Sequence, residues 1–538
     1  MQVRRFITPD ADWAVMRRNF RWDLPAAFNI ADSCCTRWAM SGPDRVALTH
    51  LTADGGQQVW TYGMIKAASN ALANAFAARG VGRGDRVAIL LQQGPEVLIS
   101  HFAAYKLGAI ALPLFTLFGE EALSYRLSDS GARVVVTDGA NLPKVMALRG
   151  ELPKLAEVYS IDTAKSPVRD FHGEIATGSV EFTPVATTPD DPALLVYTSG
   201  TTGPPKGVLH GHRVLLGHLP GIEVHHEFFP QKGDCGWTPA DWAWVGGLLN
   251  MALPCLHYGV PLISRRMRKF DPVEAYQLII RLNMRNLFLP PTALKLMQQV
   301  EVPAGVDIRS VSSGGESLGA PLLAWAQDAL GCHINEIYGQ TECNLVVSSQ
   351  GGGGHQKAGF MGPAVPGHDV AVIDADGQEV PTGEMGEIAV RRPDPVMFLR
   401  YWNKPEATAA KFTGDWMRTG DLGVRDADGY FRFASRDDDV ITSAGYRIGP
   451  SEIENCLGGH PDVVMAAVIG VPDAMCTEVV KGFVVLREGA QWEGLEAALI
   501  ARVREKVSPH VAPRMIERVE SLPMTATGKI MRRELRGR

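Results

Sequence analysis

Short apolar runs alternate with amphipathic stretches along the first part of the chain. Residues 86–92 (RVAILLQ) and 132–138 (ARVVVTD) are rich in β-branched side chains and are bounded by turn residues, which predicts buried strands. Residues 64–80 and 95–109 carry apolar side chains at helical spacing, and Gly80 marks the end of the first helix. Strands that alternate with helices predict an α/β fold with layered, largely parallel sheets.

A different pattern follows later in the chain. Segments 369–390 and 426–436 contain short strands separated by Asp-Gly and Pro-Thr-Gly turn signals, which predicts a small antiparallel β subdomain. The three consecutive acidic residues at 437–439 are hard to bury together and mark a boundary. Beyond them, strands and helices alternate over about 100 residues, enough for a small α+β domain. We therefore predict an N-terminal domain, residues 1–437, and a mobile C-terminal domain, residues 438–538.

Composition and charge narrow the class of protein. With 46% hydrophobic and 21% charged residues, the 538-residue chain has the composition of a globular protein. A formal net charge of −6 gives no electrostatic reason to expect nucleic acid as a partner. The eight cysteines include no CxxC pair, which predicts reduced thiols in a cytoplasmic protein. We expect no secretory signal and no membrane span, because no apolar run of about 18 residues occurs. The sequence leaves a homo-oligomer open.

The densest run of glycine, serine and threonine follows a predicted strand. After the apolar stretch 194–197, the chain continues as TSGTTGPPKG, residues 198–207. The backbone N–H groups, hydroxyls and single lysine of such a loop suit a polyphosphate. A Walker A loop requires Gly-Lys-Ser/Thr, whereas Lys206 stands between Pro205 and Gly207. The loop therefore predicts a phosphate-binding site of another kind.

Residues 198–207 resemble the signature loop of the adenylate-forming (AMP-binding) superfamily, whose members include acyl-CoA synthetases, the adenylation domains of peptide synthetases, and firefly luciferase. Further blocks that resemble the family occur in its order and extend the resemblance over nearly the whole chain. They are 313–317 (SGGES), 338–342 (YGQTE), 419–421 (TGD), 445–450 (GYRIGP) and 523–530 (PMTATGKI). The resemblance implies an ATP-dependent acyl-CoA synthetase. Such an enzyme converts a carboxylic acid and ATP into an acyl-adenylate and pyrophosphate, and then passes the acyl group to CoA with release of AMP.

The resemblance also implies how ATP is bound. The 313–317 loop holds the adenine ring, which Tyr338 flanks, and Asp421 binds the ribose hydroxyls. Thr341 contacts the α-phosphate. Glu342 helps to hold Mg²⁺, a cation that prefers oxygen ligands and bridges carboxylates to nucleotide phosphates. The nucleotide-binding residues implied in this way are Thr198, Ser199, Gly200, Thr201, Thr202, Gly203, Lys206, Gly315, Glu316, Ser317, Tyr338, Gly339, Gln340, Thr341, Asp421, Arg436, Arg447 and Lys529.

By the same resemblance, one site serves two half-reactions because the C-terminal domain moves. Lys529 matches the lysine that bridges the acid's carboxylate and the α-phosphate during adenylation. Asp438 falls at the family's hinge, and Gly445 and Tyr446 fall in the loop that faces CoA. Rotation about the hinge withdraws the lysine and presents the CoA loop. The catalytic residues implied are Lys529, Thr341 and Glu342.

The sequence predicts the identity of the carboxylic acid substrate less narrowly than it predicts the reaction. Gly339 stands where acetyl-CoA synthetases of the family carry a tryptophan that caps a pocket sized for acetate. The resemblance therefore implies room for a larger acid, whether medium-chain, branched or aromatic, and the overall pattern looks closest to medium-chain acyl-CoA synthetases. Trp237 and Gly246 lie where the family builds one wall of the acyl pocket, although packing in the core accounts for the tryptophan equally well.

Other interpretations stay open. An adenylating enzyme with a carrier-protein thiol as acceptor is the first, but the chain contains no carrier domain and its CoA-loop block is intact. A luciferase-type oxygenase is the second. A non-catalytic binding protein on the same fold is the third, and it would have no need to retain Lys529, Glu342 and Lys206.

Overall fold

The computed structural model shows a mixed α/β fold, which confirms the fold class predicted from the sequence. It describes every residue except 1, 2, 164, 199–203, 266, 268, 317, 437, 438, 444, 445, 474–476, 526–528, 537 and 538. For residues 442, 446 and 447 it describes only the backbone. None of the helices in this described part combines the length and the apolar character that crossing a bilayer requires.

The strands are numbered in chain order. Those before residue 200 are β1 (Val46–Leu51), β2 (Gln57–Thr61), β3 (Arg86–Leu90), β4 (Ile110–Pro113), β5 (Val134–Thr137), β6 (Glu157–Ser160), β7 (Arg169–Asp170) and β8 (Pro192–Thr198). Those from residue 206 to 348 are β9 (Lys206–Gly211), β10 (Gly236–Trp237), β11 (Leu262–Arg265), β12 (Asn286–Phe288), β13 (Ser310–Gly314), β14 (Ile334–Gln340) and β15 (Cys343–Ser348). Later strands are β16 (Gly362–Pro363), β17 (Val370–Ile373), β18 (Met385–Arg391), β19 (Arg400–Tyr401), β20 (Phe412–Thr413), β21 (Trp416–Arg425), β22 (Tyr430–Arg436), β23 (Ile441–Ser443), β24 (Tyr446–Ile448), β25 (Val463–Asp473), β26 (Thr477–Leu486) and β27 (Met515–Arg518).

The helices are numbered in the same way. Those before residue 230 are α1 (Trp13–Asn19), α2 (Arg37–Ser41), α3 (Tyr62–Ala77), α4 (Pro95–Lys106), α5 (Glu120–Ser130), α6 (Leu142–Leu148), α7 (Phe171–Thr177) and α8 (Val214–His225). The others are α9 (Val245–Gly247), α10 (Leu253–Tyr258), α11 (Pro272–Arg281), α12 (Pro291–Met297), α13 (Ala320–Trp325), α14 (Pro405–Ala409), α15 (Pro450–Gly458), α16 (Leu495–Lys506) and α17 (Arg532–Arg536). Short π-helical turns at Asp32–Thr36, Leu248–Ala252 and Ala326–Leu330 and a 3-10 turn at Arg149–Glu151 adjoin them.

Two eight-stranded sheets organise the N-terminal part of the described chain. The first has the order β19-β9-β8-β4-β3-β5-β6-β7, parallel from β8 to β7 and antiparallel at β9 and β19. The second has the order β15-β14-β13-β12-β10-β11-β1-β2, with antiparallel pairing at both ends. Because β13 and β14 run parallel, the chain leaves both strands at the same edge of the sheet, where ligands bind in many α/β proteins.

Helix α8 fills the space behind this edge and is buried along its whole length. Its side chains are apolar on nearly every face, which is typical of a helix inside the core of a large protein. Glycines let other segments approach it closely: a Cβ at Gly217 would lie 2.4 Å from the backbone N of Val396, and one at Gly221 would lie 2.4 Å from Leu345 Cγ. The helix therefore braces β15 and the segment that leads to β19.

Two smaller sheets complete the described fold. The antiparallel sheet β16-β22-β21-β18-β17, with β20 beside β21, matches the β subdomain predicted from the turn signals after residue 369. The sheet β24-β23-β26-β25, with β27 parallel to β26, packs on α15 and α16 through apolar residues such as Ile453, Leu499 and Val468. The C-terminal segment thus has its own sheet, helices and core, as an α+β domain requires.

Candidate active site

A cavity of about 370 Å³ lies where the two large sheets, the β subdomain and the C-terminal segment meet. This volume is within the usual range of small-molecule sites. Five of the six blocks singled out in the sequence, all except 445–450, contribute to its lining. The lining residues are Phe115, Phe118, Arg126, Val196, Tyr197, Thr198, Lys206, Ala243, Trp244, Gly315, Glu316, Glu336, Ile337, Tyr338, Gly339, Gln340, Thr341, Glu342, Met361, Tyr401, Lys411, Asp421, Phe433, Arg436, Thr525 and Lys529. Six of these residues also line a neighbouring cleft of about 1,020 Å³ that extends along the C-terminal domain.

The glycine-rich loop connects β8 to β9, which pair antiparallel. Thr198 at the end of β8 is paired with Lys206 at the start of β9, so both ends of the loop are fixed by the sheet. Strand β19 extends the same sheet: Trp402 N–H donates to Gly207 O at 2.7 Å. The ammonium of Lys206 lies 5.2 Å from the centre of the Tyr401 ring, which holds its charge at the cavity. The predicted residues Ser199, Gly200, Thr201, Thr202 and Gly203 lie outside the described residues.

Thr341 and Glu342 form the turn between β14 and β15. His210 Nε2–H donates to Thr341 O at 2.8 Å, and burial lowers the pKa of His210 to about 3, so the ring is neutral with its proton on Nε2. The Tyr401 hydroxyl donates to Glu342 Oε1 at 2.5 Å. Phe398 N–H donates to Glu342 O. Two protein segments thereby orient a turn that sequence reasoning had assigned to the α-phosphate and the metal.

A buried hydrogen-bond network lies on the β-subdomain side of the cavity. The Tyr338 hydroxyl and Gln340 Nε2 each donate to Asp421 Oδ2 at 2.7 Å. The Arg436 guanidinium lies 3.4 Å from Asp421 Oδ1, and the two residues are register partners on β21 and β22. Lys411 Nζ donates to Gln340 Oε1 at 3.4 Å. The structure therefore brings the predicted adenine and ribose residues into one connected cluster.

The 313–317 block forms the opposite wall. Gly314 ends β13, and a Cβ there would lie 2.6 Å from Ile337 O, so only glycine permits this approach of β13 to β14. Gly315 follows with φ +104°. Glu316 faces the C-terminal segment, and burial raises the pKa of its carboxyl. Ser317 lies outside the described residues.

Lys529 enters this cavity from the C-terminal segment. Thr525 N–H donates to Lys529 O at 2.8 Å and Lys529 N–H donates to Thr525 Oγ1 at 3.1 Å, so a closed turn presents the lysine. Ile530 N–H donates to Glu316 Oε1 at 3.4 Å across the two domains. The lysine is accessible from the cleft, yet desolvation by the protein around it lowers its pKa, while the charge of Asp421 acts in the opposite direction. The Lys529 ammonium, near the end of the chain, thus lies in the same cavity as residues that are far away in sequence.

Some predicted residues are described partly or not at all. The proposed hinge residue Asp438 and the predicted CoA-loop residue Gly445 lie outside the described residues. Tyr446 and Arg447 are described by their backbone only, as part of β24. Their predicted roles therefore stay predictions.

Two of the residues predicted for the acyl pocket are not among those that line the cavity. Trp237 is fully buried in the apolar cluster behind the second sheet and does not line the cavity, so its position fits the alternative that it packs in the core. Gly246 does not line it either, but a Cβ there would lie 2.8 Å from the ring of Trp244. Trp244 does line the cavity, and its ring packs at 5.5 Å on Phe288 and leaves no room for a side chain at Gly246.

Gly339 lines the cavity, but its geometry differs from the predicted one. A Cβ at this position would lie 2.3 Å from Leu345 N and 2.7 Å from Cys343 O. It would point into the backbone of the β14–β15 hairpin and not into open space. Close packing of the hairpin therefore requires this glycine, and no vacant room is seen along its Cβ direction.

Sequence reasoning missed several cavity residues. Tyr401, Lys411, Glu336 and Arg126 all line the cavity. Tyr401 and Lys411 lie in RYWNKPEATAAKF, residues 400–412, whose alternation of aromatic and basic residues was a signal that could have been followed. Arg126 and Glu336 stand in unremarkable helix and strand patterns, and only the fold brings them to the cavity.

Comparisons with known proteins found matches over most of the chain. Residues 35–402 match the family described as AMP-binding enzyme, and residues 452–529 match the AMP-binding enzyme C-terminal domain. Acetyl-coenzyme A synthetase of Bacillus subtilis (strain 168) is 33% identical over 538 residues, covering 98% of this chain and 93% of the relative. Mitochondrial acyl-coenzyme A synthetase ACSM4 of Homo sapiens is 33% identical over 543 residues, with the same coverage. A solved structure of the anthranilate CoA ligase AuaEII with anthranoyl-AMP superposes with a TM-score of 0.88 at 29% identity, covering 96% of this chain and 98% of that chain.

Proposed function

Because the chain belongs to the family of AMP-binding enzymes and is an AMP-forming acyl-CoA ligase with ATP and CoA as substrates, we propose that the cavity around Lys529 adenylates its acid. The observation that carries the proposal is the meeting of Lys529 with Asp421, Arg436 and Glu342 in one cavity. Adenylation needs a cation to stabilise the developing charge, groups that hold the ribose and a carboxylate for the metal. Lys529, the pair Asp421 and Arg436, and Glu342 fit these three needs.

In the first half-reaction, an oxygen of the acid's carboxylate attacks the α-phosphorus of ATP. The bond from the α-phosphorus to the bridging oxygen breaks, and that oxygen leaves with its electron pair as pyrophosphate. We assign to Lys529 the stabilisation of charge on the carboxylate and the α-phosphate, and to Thr341 a hydrogen bond to the α-phosphate. Asp421 and Arg436 hold the ribose, and Tyr338 flanks the adenine. Neutral His210 holds the Thr341 turn through its Nε2–H.

Glu342 is the proposed Mg²⁺ ligand. Its Oε1 accepts the Tyr401 hydroxyl, whereas no hydrogen bond or ion pair of Oε2 occurs among the described residues. A carboxylate oxygen that faces a phosphate-binding cavity fits the oxygen-rich sites that Mg²⁺ prefers. When bound, the cation would supply positive charge to the phosphates of ATP.

In the second half-reaction, the CoA thiol attacks the acyl carbonyl and AMP leaves with the bond electrons. We propose that the C-terminal domain, residues 438–538, rotates about Asp438 so that Lys529 leaves the cavity and the loop with Gly445, Tyr446 and Arg447 replaces it. The separate sheet and core of this domain support the proposal, because a domain with its own core can move as one body.

The acid is proposed to be larger than acetate, with a medium-chain, branched or aromatic body. The apolar cavity wall of Trp244, Val196 and Ile337 supports this proposal, because apolar side chains stabilise an apolar acyl group. The anthranilate CoA ligase similar to this chain acts on an aromatic acid. Because an acetyl-coenzyme A synthetase is among the relatives, acetate is the alternative substrate to be tested.

A panel of acids tests both the acceptor and the acid. Purified protein is given ATP and Mg²⁺ with straight acids of two to twelve carbons, branched acids and benzoate-type acids, each with and without CoA, and pyrophosphate and AMP release are measured. We expect pyrophosphate from the acids that bind and CoA-stimulated AMP release with the same acids. Selectivity among neighbouring chain lengths should be graded, because one methylene changes binding by only about 1–3 kcal/mol.

Two outcomes of the panel would contradict the proposal. Pyrophosphate release without CoA-stimulated AMP release would favour another thiol acceptor, such as a carrier protein. Faster turnover of acetate than of every larger acid would contradict the acid assignment. Reactions with GTP in place of ATP are the matched control for release that does not depend on the adenine site.

A further inference from the structure

A buried arginine in the wall of the cavity has no acidic partner among the residues that the structure describes. Arg126 on α5 is 6% exposed and lines the cavity. Its Nη1 donates to Ala122 O at 2.7 Å, the only hydrogen bond it makes among the described residues, and its buried Nε has no partner. The ionisable groups that act on its charge are Tyr197 and Tyr125, and neither is a carboxylate. The guanidinium therefore keeps N–H donors that no protein group in the described part of the chain uses.

The partly buried Arg309 shows how a carboxylate satisfies a guanidinium in this fold. Arg309 makes two hydrogen bonds of 2.7 Å with the carboxylate of Asp234. Arg126 instead lies 4.1 Å from the centre of the Phe118 ring and 6.0 Å from that of Tyr197. Aromatic faces orient a guanidinium but do not neutralise it, and a buried charge without a partner is costly. A bound anion would remove this cost.

Helix α5 contacts the phosphate loop directly. The hydroxyl of Tyr125, the neighbour of Arg126, donates to Pro205 O at 3.0 Å, one residue before Lys206. Tyr197, which shares the aromatic surroundings of Arg126, immediately precedes Thr198 at the start of the loop. The charge of Arg126 thus lies on the side of the cavity where the polyphosphate loop begins and ends.

We propose that Arg126 forms a phosphate subsite that takes the β- and γ-phosphates of ATP, the group that leaves as pyrophosphate. The proposal rests on the proposed adenylation in this cavity. A guanidinium suits this group because its planar N–H donors match phosphate oxygens in pairs. Positive charge at this position stabilises pyrophosphate as it separates from the α-phosphorus.

Binding of pyrophosphate and AMP to Arg126→Met, measured by calorimetry with Mg²⁺, tests the subsite. The methionine keeps the apolar stem but removes the charge and the donors. We expect the dissociation constant of pyrophosphate to rise roughly tenfold or more, because hydrogen bonds to charged groups are among the strong ones. AMP binding should stay unchanged. Arg86→Met is the matched control: Arg86 stacks at 5.4 Å on Trp402 but does not line the cavity.

The phosphates of CoA share the chemistry of this ligand, so a second measurement separates the two sources. With acyl-AMP supplied, the KM for CoA is compared in wild type and Arg126→Met. A rise in this KM with unchanged pyrophosphate binding would overturn the assignment to ATP, and unchanged binding of both ligands would leave Arg126 a structural residue. Should Arg126→Met unfold, Arg126→Lys decides: it retains a cation but loses the paired N–H donors, so the dissociation constant of pyrophosphate should still rise, and an unchanged value would overturn the subsite. Pyrophosphate binding needs no acid, so failure of the acid panel leaves this test intact.

Discussion

Burial changes the protonation of single side chains around the cavity. It lowers the pKa of His210 to about 3, so this ring is a fixed donor to Thr341 and carries no charge. It raises the pKa of Glu336 to about 8, although the N–H of Leu318 acts in the other direction. Glu336 lies on β14, two residues before Tyr338, and lines the cavity. At pH 7 this carboxyl is mostly protonated, so the proposed ATP site avoids a negative charge there.

The first prediction concerns this carboxyl and pH. As pH rises through about 8, Glu336 gains a negative charge in the cavity, which weakens binding of a polyanion. We expect the KM for ATP in pyrophosphate exchange to rise roughly tenfold between pH 7 and 9, an amount typical of one charge at this range. Glu336→Gln should remove the part of this rise that Glu336 causes. Any loss of charge on Lys529 is common to both proteins and cancels in the comparison.

Glu223→Gln is the matched control for this titration. Glu223 is also buried, and burial raises its pKa to about 7. Its carboxyl accepts hydrogen bonds from Phe6 N–H and Ile7 N–H, however, and does not line the cavity. Its substitution should leave the pH dependence of the KM unchanged. The same pH dependence in wild type and Glu336→Gln would show that Glu336 has no part in ATP binding.

At the scale of elements, the β14–β15 hairpin carries four residues of the proposed ATP site. Tyr338 and Gln340 project from β14 to Asp421, and Thr341 and Glu342 form the turn. A register shift between residues 338 and 340 bends the strand there. Gly339 lies within this bend with backbone atoms on the side where a Cβ would point. The glycine therefore shapes the hairpin that presents Thr341 and Glu342, the residues proposed to act at the phosphates.

The second prediction is that Gly339→Ala impairs adenylation of every acid alike. The added methyl group would lie 2.3 Å from Leu345 N, so the hairpin must shift and carry Thr341 and Glu342 with it. We expect kcat/KM for ATP to fall roughly 10- to 100-fold, which corresponds to the usual cost of overpacking. Pyrophosphate exchange with short and long acids measures the effect.

Gly150→Ala controls for the substitution itself, because no atom lies within 4 Å of a Cβ at Gly150. It should leave both kcat/KM and acid preference unchanged. If Gly339→Ala instead shifted preference toward shorter acids with ATP kinetics intact, the pocket-cap interpretation of Gly339 would be restored.

At the scale of the whole molecule, the C-terminal domain completes the cavity. The charges of Asp421, Glu316 and Glu342 act on the Lys529 ammonium, although about 100 to 200 residues of chain separate it from them. Ion pairs behind it secure the terminal helix: Arg532 pairs with Glu454 at 2.7 Å and with Asp439 at 3.4 Å. These pairs join α17 to α15 and to the residue next to the proposed hinge, so the terminal turn and the domain can move together.

The third prediction separates the two half-reactions. Lys529→Ala should lower the rate of adenylation about 10²- to 10³-fold, the usual loss when one group that stabilises a transition state is removed. Thioester formation from supplied acyl-AMP and CoA should change little, because the proposed rotation removes this lysine from the cavity before CoA reacts. Pyrophosphate exchange measures the first step and AMP release from acyl-AMP measures the second.

Lys481→Ala is the control from the same domain. Lys481 pairs with Glu517 at 2.9 Å on the C-terminal sheet and does not line the cavity. Both half-reactions should keep their wild-type rates in this variant. Equal loss of both steps in Lys529→Ala would contradict a rotating domain.

The sequence by itself determined the features that depend on local pattern. Strands such as β3 and β8 and helices such as α3 and α4 follow from apolar spacing and turn residues, because burial requires that spacing. The glycine-rich loop was identified because its backbone N–H groups, hydroxyls and lysine suit a polyphosphate, and the YGQTE block and Lys529 were identified by their resemblance to the family. These blocks predicted the family and the class of reaction.

Only the tertiary structure decided which side chains meet. Trp237 and Trp244 look alike in sequence, yet one packs in the core and the other faces the cavity, because side-chain direction depends on the strand and helix that carry them. The effect of a Cβ at Gly339 depends on the neighbouring hairpin backbone. Arg126 and Glu336 acquire their cavity positions, and Glu336 its raised pKa, through burial by distant segments. Contacts between residues far apart in the chain have no local pattern, so the fold alone determines them.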